Sequence, residues 1–386
     1  VIALSPDPGF PVWLTNDPSD YLPLLADQTS GLDMIAVDST EACGRRTWLV
    51  EADDADLGEI RVMTVEDCPG GTALEFPGID LTLPPPSISG LPIESGHGYD
   101  WESVALHPWS SSIFLAHEGS KSEIGIYLGK TTPSGTLPAE GAIGKAGSVG
   151  SIPGHIVNLR RLNLPGWDQV FGSLVKDNLG IEGVACWDDR LFVGLESPYE
   201  FTERLMGVKS TILAIWKINP ADPSDMENCE LLAAHDTSNW ADSLGYTVET
   251  ICGLDALDRT HLVGVDRDNT RLFSVEFDDF GSFVGGRSYF LAVPGPAPVE
   301  SDGCPPLDHL PALLRPSLES IAAVPIIDPE CPDEIAAYQL YLAVDPWGPG
   351  WALAENDWDC PKYRDRLNSL LPALYRYTVD IETIVP

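Results

Sequence analysis

The sequence predicts an all-β fold, a five-bladed β-propeller, and three observations carry that prediction. A short motif, an acidic residue, any residue, Ile or Val, then Ala or Cys, recurs five times along the 386 residues. Each occurrence opens a set of short apolar runs rich in β-branched and aromatic residues, the whole repeating about every 70 residues. Thirty-five Gly and 34 Pro punctuate the chain so often that long helices have little room.

The first run of each repeat is GLDMIAVD (31–38), YDWESVALH (99–107), GIEGVACWD (180–188), TVETICGLD (247–255) and SLESIAAVP (317–325). Their acids are Asp33, Glu102, Glu182, Glu249 and Glu319, at spacings of 69, 80, 67 and 70. A second apolar run follows in each repeat and also ends in an acid: Glu51, Glu118, Glu196, Asp266 and Asp345. Third runs are GEIRVMTVE, IGIYLGK, TILAIWKIN, RLFSVEF and ALYRYTVD, and GIDLTL, HIVNLRRLNL, CELLAAH and RSYFLAV suit fourth, outer strands. One domain over 1–386 follows, with blades at 31–98, 99–179, 180–246, 247–316 and 317–380. The last repeat lacks a fourth strand, so the N-terminal run VIALS (1–5) is expected to close blade five. A sixth blade in 131–165 is the structural alternative, and PKYRDRLNSLLPAL (361–374) is the one short helix expected.

Composition sets the function classes aside in turn. A formal net charge of -37 repels phosphate backbones and anionic headgroups, which argues against nucleic-acid and membrane-surface partners. No apolar run approaches the roughly 18 residues of a membrane span, so no membrane insertion is expected. The start VIALSPDPGF shows neither an initiator Met nor a signal-peptide pattern and reads as a processed mature end, and eight Cys suit an oxidising compartment. A secreted protein, extracellular or periplasmic, is the expectation.

Repeat position turns the acids into a candidate site. If one acid begins each inner strand and another ends the strand beside it, the hairpins bring both sets to one end of the propeller. Five acids out of five in one column arises by chance with a frequency of about 10⁻⁴, so the column is read as a site. Asp33, Glu102, Glu182, Glu249 and Glu319 are therefore the expected metal ligands. Glu51, Glu118, Glu196, Asp266 and Asp345 are expected just outside them, toward a substrate. Carboxylates converging on a narrow channel need a counter-charge, Lys121 and Arg267 are the nearest bases after the second strands, and hard oxygen donors suit calcium. The alternative is that the acids accept N–H bonds between blades.

The segment NLGIEGVACWDDRLFVGLESPY (178–199) resembles the E-G-[IVL]-A and E-[SG]-P signature of phytase-like esterase propellers, and YDWESVALHP and SLESIAAVP are weaker copies. A Glu opening an inner strand is also similar to calcium-dependent gluconolactonase-type propellers, in which that Glu binds the metal. The resemblance implies a secreted propeller with a divalent metal that hydrolyses esters, lactones or phosphoesters. Asp33 departs from the Glu of the pattern, and no catalytic His is carried over by it.

His117 stands where other repeats have Val or Leu before the second acid, so His117 beside Glu118 is the candidate catalytic pair, against a packed His between blades. His97 lies in a GHG loop. AGSVG around Ser148 and GAIGKAGS (141–148) match neither a nucleophile elbow nor a phosphate loop and read as loop. Cys43 and Cys68 are candidates to bridge, as are Cys304, Cys331 and Cys360, whereas Cys186 and Cys252 read as buried apolar residues. Trp347, Trp351 and Trp358 sit in a Gly/Pro-rich insertion suited to a pocket wall or to a lid. The sequence-level expectation is a calcium-dependent hydrolase of small esters, phosphoesters or lactones. Its rival is a noncatalytic, calcium-stabilised propeller that binds a protein or glycan.

Overall fold

Runs such as IFLAH and RLFVGL are too short for a stable helix, carry side chains that pack well on a pleated surface, and end at turn residues. They form strands. In the computed structural model the described residues are 2–13, 29–38, 44–53, 59–75, 77, 81, 100–118, 123–136, 143–144, 151–176, 180–198, 209–267, 269–291, 317–328, 330–331, 334–345 and 373–386. They build five sheets arranged as a five-bladed propeller.

The chain opens with β1 (Ile2–Leu4) and β2 (Val12–Trp13). Blade one holds β3 (Thr29–Asp38), β4 (Arg45–Asp53), β5 (Glu59–Cys68) and β6 (Gly71–Glu75). Blade two is β7 (Trp101–Leu106), β8 (Ser112–His117), β9 (Gly125–Thr136) and β11 (Ser151–Arg161), while β10 (Ile143–Gly144) crosses to pair with β3. Blade three is β12 (Ile181–Trp187), β13 (Arg190–Leu195), β14 (Ile212–Lys217) and β15 (Glu230–Asp236). Blade four is β16 (Gly253–Ala256), β17 (His261–Asp266), β18 (Arg271–Phe277) and β19 (Phe283–Leu291). Blade five is β20 (Ser317–Ile327), β21 (Ile335–Asp345) and β22 (Ala373–Asp380), completed by β2.

Three expectations are corrected here. The N-terminal segment does close blade five, but through Val12–Trp13 against β22. Ile2–Leu4 of the VIALS run instead add a parallel edge strand to β19 of blade four. Blade one has Gly71–Glu75 as its fourth strand, because the turn at Cys68–Gly71 returns the chain directly onto β5; of the GIDLTL run only Leu81 is described, and its N–H donates to the Ile60 carbonyl of β5 at 2.7 Å. The stretch 131–165 is no sixth blade: it supplies the end of β9, β10 and β11. Of the helix expected at 361–374, Ala373 and Leu374 belong instead to β22 and the rest lies outside the described residues, as do His97, Ser148, Cys43, Cys304, Cys360, the three Trp of the late insertion and the pairing proposed between Cys43 and Cys68.

The inner strands β3, β7, β12, β16 and β20 touch in that order and close back on β3. Between each pair of neighbouring blades lies one apolar layer. Trp48 and Val62 meet Trp101 and Tyr127 between blades one and two, and Phe114 meets Val193 and Trp216 between two and three. Phe192 meets Phe273, Val263 meets Leu340 and Tyr377, and Leu49 and Met63 meet Tyr341 and Leu374 around the rest of the ring. Each such side chain contributes about 1.5–3 kcal/mol on burial, so the layers between blades hold the ring together. Among the described residues no helix is long and apolar enough to cross a membrane.

Candidate functional site at the end of the channel

Four of the five inner strands carry a bulge near their start, and in three of them the bulge residue is a Glu. In β7 the partner of Trp101 is His117 and that of Ser103 is Ala116, which leaves Glu102 as the extra residue. Glu182 and Glu319 occupy the same place in β12 and β20. A bulge re-aims its side chain out of the pleat, here toward the end of the channel. Gly183, Ser103 and Ser320, the small residues that follow, sit where neighbouring inner strands approach closely; the hydroxyl of Ser103 accepts the Val184 N–H at 3.1 Å.

Asp33 and Glu249 do not share that place. The bulge of β3 falls at Ser30, between the pairs Thr29–Asp53 and Gly31–Ala52, and in blade four the equivalent residue is Cys252, just before Gly253. Asp33 lies three residues further along its strand, where its carboxylate accepts the N–H of Met34 at 2.7 Å and that of Leu106 in blade two at 2.6 Å. It is an inter-blade acceptor, the alternative reading of the acids. Glu249 lies before β16, and its carboxylate pairs with Lys209 at 3.1 Å. By backbone position, Ser30 and Cys252 are the counterparts of the three Glu in these two repeats.

The second column divides as well. Glu118 and Glu196 stand at the same end as the bulge residues. Glu51, fully buried, accepts a bond from Thr29 Oγ1 at 3.1 Å and lies 3.8 Å from Arg61 Nε. Asp266 accepts from the Glu249 N–H, Thr250 Oγ1 and Asn269, and burial pushes its pKa up to about 6. These contacts fix the strand ends. Asp345 pairs through its backbone with Ser317 at this end.

Around the channel, two groups of carboxylates result. In the first, Arg267, the residue after β17, reaches across: Nη2 lies 2.8 Å from Glu182 Oε2 and 2.6 Å from Glu319 Oε2, and Nη1 lies 3.3 Å from Glu196 Oε1. Burial, reinforced by Glu196, Glu118 and Glu319, holds the Glu182 carboxyl well above the usual range against the pull of Arg267. The surrounding acids keep Arg267 protonated. In the second group, one oxygen each of Asp100, Glu102 and Glu118 lies within 4.8 Å of the others. The Glu118 N–H bond to the Asp100 carbonyl, 3.0 Å, closes the hairpin and sets these side chains together. Glu118 is 8% exposed, its Oε1 is buried without a hydrogen-bond partner among the described residues, and burial, then Glu196 and Asp100, pushes its pKa up to about 8.

This second group fits a hard divalent cation: its donors are all carboxylate oxygens, closely spaced, with one lone-pair direction unused. Asp100 was missed in the sequence although it stands two residues before Glu102 in YDWES. Arg267 was noted only as a nearby base.

His117 is corrected as a catalytic candidate. It is 2% exposed, packs edge-on against Trp101 with centroids 5.1 Å apart, and neither ring nitrogen has a hydrogen-bond partner among the described residues. Burial lowers its pKa. Strand alternation explains this, since His117 faces the layer between blades while Glu118 faces the channel. Cys186 and Cys252 are buried, as expected, and neither is bridged.

No family model matches the chain, and no curated protein matches it in sequence. Among solved structures it is similar to a luciferin-regenerating enzyme, at 9% identity over 97% of both chains with a TM-score of 0.38. A periplasmic gluconolactonase of Pseudomonas aeruginosa aligns at 12% identity over 68% of this chain and 70% of its own, TM-score 0.31. The PQQ-bound aldose sugar dehydrogenase of Streptomyces coelicolor aligns at 10% identity over 97% and 99%, TM-score 0.32. At these values the likeness carries no argument about chemistry.

Proposed function

We propose that the chain is a calcium-dependent hydrolase of small esters or lactones, with Asp100, Glu102 and Glu118 holding the cation. The observation that carries the reading is the buried Glu118 carboxylate, which keeps Oε1 without a hydrogen-bond partner among the described residues and has an oxygen within 4.8 Å of one from Asp100 and one from Glu102. A bound divalent ion supplies Lewis acidity toward a carbonyl or phosphoryl oxygen and makes bound water more acidic.

The chain's own groups do the rest. Arg267, 26% exposed and gripped by three carboxylates, offers a fixed guanidinium beside the site that can orient a substrate oxygen. Glu196, between Arg267 and Glu118, is placed to accept a proton. The net charge of -37 disfavours approach of a phosphoester and leaves a neutral ester or lactone the favoured member of the class suggested by the resemblance.

The test combines metal analysis with turnover. Purified protein, with calcium or with chelator, is offered a panel of lactones, carboxylic esters and phosphomonoesters. Calcium-dependent hydrolysis lost in Glu102→Gln and kept in Glu249→Gln is the expected result. Calcium should also raise the melting temperature, by roughly 2.7 kcal/mol of stability at a hundred times Kd. Calcium-dependent stability without turnover would favour the noncatalytic reading, a rigid propeller that binds a protein or glycan.

A further inference from the structure

We infer that Arg267 acts as a tethered cation: its guanidinium occupies the half of the axial acid cluster formed by Glu182, Glu196 and Glu319, and so confines a divalent ion to the half formed by Asp100, Glu102 and Glu118. The channel then holds one ion where its carboxylates alone would hold two. The inference uses the cation site proposed above for its second half, and its test separates the two ideas.

The geometry starts in the turn after β17. Thr270 donates its N–H to the Arg267 carbonyl at 3.1 Å, and Asp266 accepts from the Asn269 N–H at 3.3 Å and from its Nδ2 at 2.9 Å. That turn fixes the Arg267 backbone in blade four, between the blades that carry Glu182 and Glu319. The side chain therefore bridges blades three and five from the blade between them, with one nitrogen shared by two carboxylates. Such a shared, charge-assisted contact is what a metal ion would otherwise provide to these acids. Arginine also stays charged in any buried setting at working pH, whereas lysine can lose its proton there.

Placement separates the two halves. Arg267 contacts Glu182, Glu196 and Glu319, and Glu118 Oε1 stays without a partner. A second divalent ion among Glu182, Glu196 and Glu319 would have to displace the guanidinium or sit against its positive charge. Removing that charge while keeping side-chain bulk leaves three carboxylates in close array, which is a hard-cation site of the same kind as its neighbour.

The experiment counts ions on the full chain by calorimetric titration with calcium and by terbium luminescence. The wild type is expected to bind one ion and R267M two. In R267M the added E118Q should remove one of the two and the added E319Q the other. Where R267M folds only with calcium present, recovery of its melting transition on adding calcium reports the second site directly. The triple variant R267Q/E182Q/E319Q replaces the ion-paired group by neutral amides and should keep one ion.

R267M that binds no more ions than the wild type, or a triple variant that loses its ion, overturns the inference. A wild type that binds none, with R267M gaining an ion that E319Q removes, would instead leave the Arg267 assignment standing and sink the proposed calcium-dependent function. One ion in both the wild type and R267M would do the opposite, sinking the Arg267 assignment and leaving the calcium site standing.

Discussion

Asp33 and Asp255 perform the same task in different blades. Each accepts the N–H of the next residue, Met34 or Ala256, at 2.7 Å, and with its other oxygen the N–H of a residue in the neighbouring inner strand, Leu106 at 2.6 Å or Ala323 at 2.7 Å. Two carboxylates thus tie blade one to two and blade four to five.

Asp255→Asn tests the lock. An amide can accept with only one oxygen, so its NH₂ would face a backbone N–H and leave it unsatisfied, at about 1–3 kcal/mol. Urea unfolding should show that loss, with calcium binding unchanged. An unaltered midpoint would mean that Ala323 finds another acceptor and that the contact is incidental.

Close approach at the inner strands gives a second prediction. A Cβ on Gly253 would lie 2.7 Å from Ser320 Cα, a backbone atom that cannot step aside. Gly253→Ala should therefore cost about 1–3 kcal/mol by forcing blades four and five apart. A melting temperature equal to the wild type's would show that the ring has slack at this joint.

His117→Phe distinguishes a packed residue from a base. Phe fills the same slot against Trp101 and Tyr127, whose ring centroids lie 5.1 and 5.6 Å from that of His117, and removes two nitrogens that lack partners. Stability should hold or rise by about 1 kcal/mol. Any hydrolysis should be unchanged; a folded variant without turnover would return His117 to the catalytic set.

At the other end of blade four, His261 Nδ1 lies 2.8 Å from Asp258 Oδ2, and that bond raises the imidazole pKa. A raised folded-state pKa stabilises the protein fully below the unfolded value, near 6.5, and the benefit disappears as pH rises through the folded value. Asp258 is 46% exposed, so less than about 1 kcal/mol is at stake. Melting temperatures of wild type and Asp258→Asn should differ more at pH 5.5 than at pH 9. Parallel curves would refute the linkage.

Five blades were legible because every repeat must bury the same two faces, and that need writes the same apolar pattern each time. Glu102, Glu182 and Glu319 were legible for a related reason, since each precedes a small residue at the same bulge. Asp33 and Glu249 were misaligned because acidity was matched ahead of backbone position. The tripeptide GLD, at 31–33 and again at 253–255, was the available signal that Asp33 belongs with Asp255. Nothing local distinguished VIALS from Val12–Trp13 as the closing strand, because both are short apolar runs and the choice depends on which blade edge lies within reach.

By itself the sequence determined the repeat, the strands and the concentration of acids at one end, all of which follow from patterns local to some 70 residues. Tertiary structure alone decided which acids are neutralised and by what. Ionic interactions depend on separation and burial in space, and Arg267 meets Glu182, Glu196 and Glu319 only after three blades have closed around it. The same closure leaves Glu118 facing Asp100 and Glu102, so the division of one acidic ring into a self-paired half and an open half exists only in the folded ring.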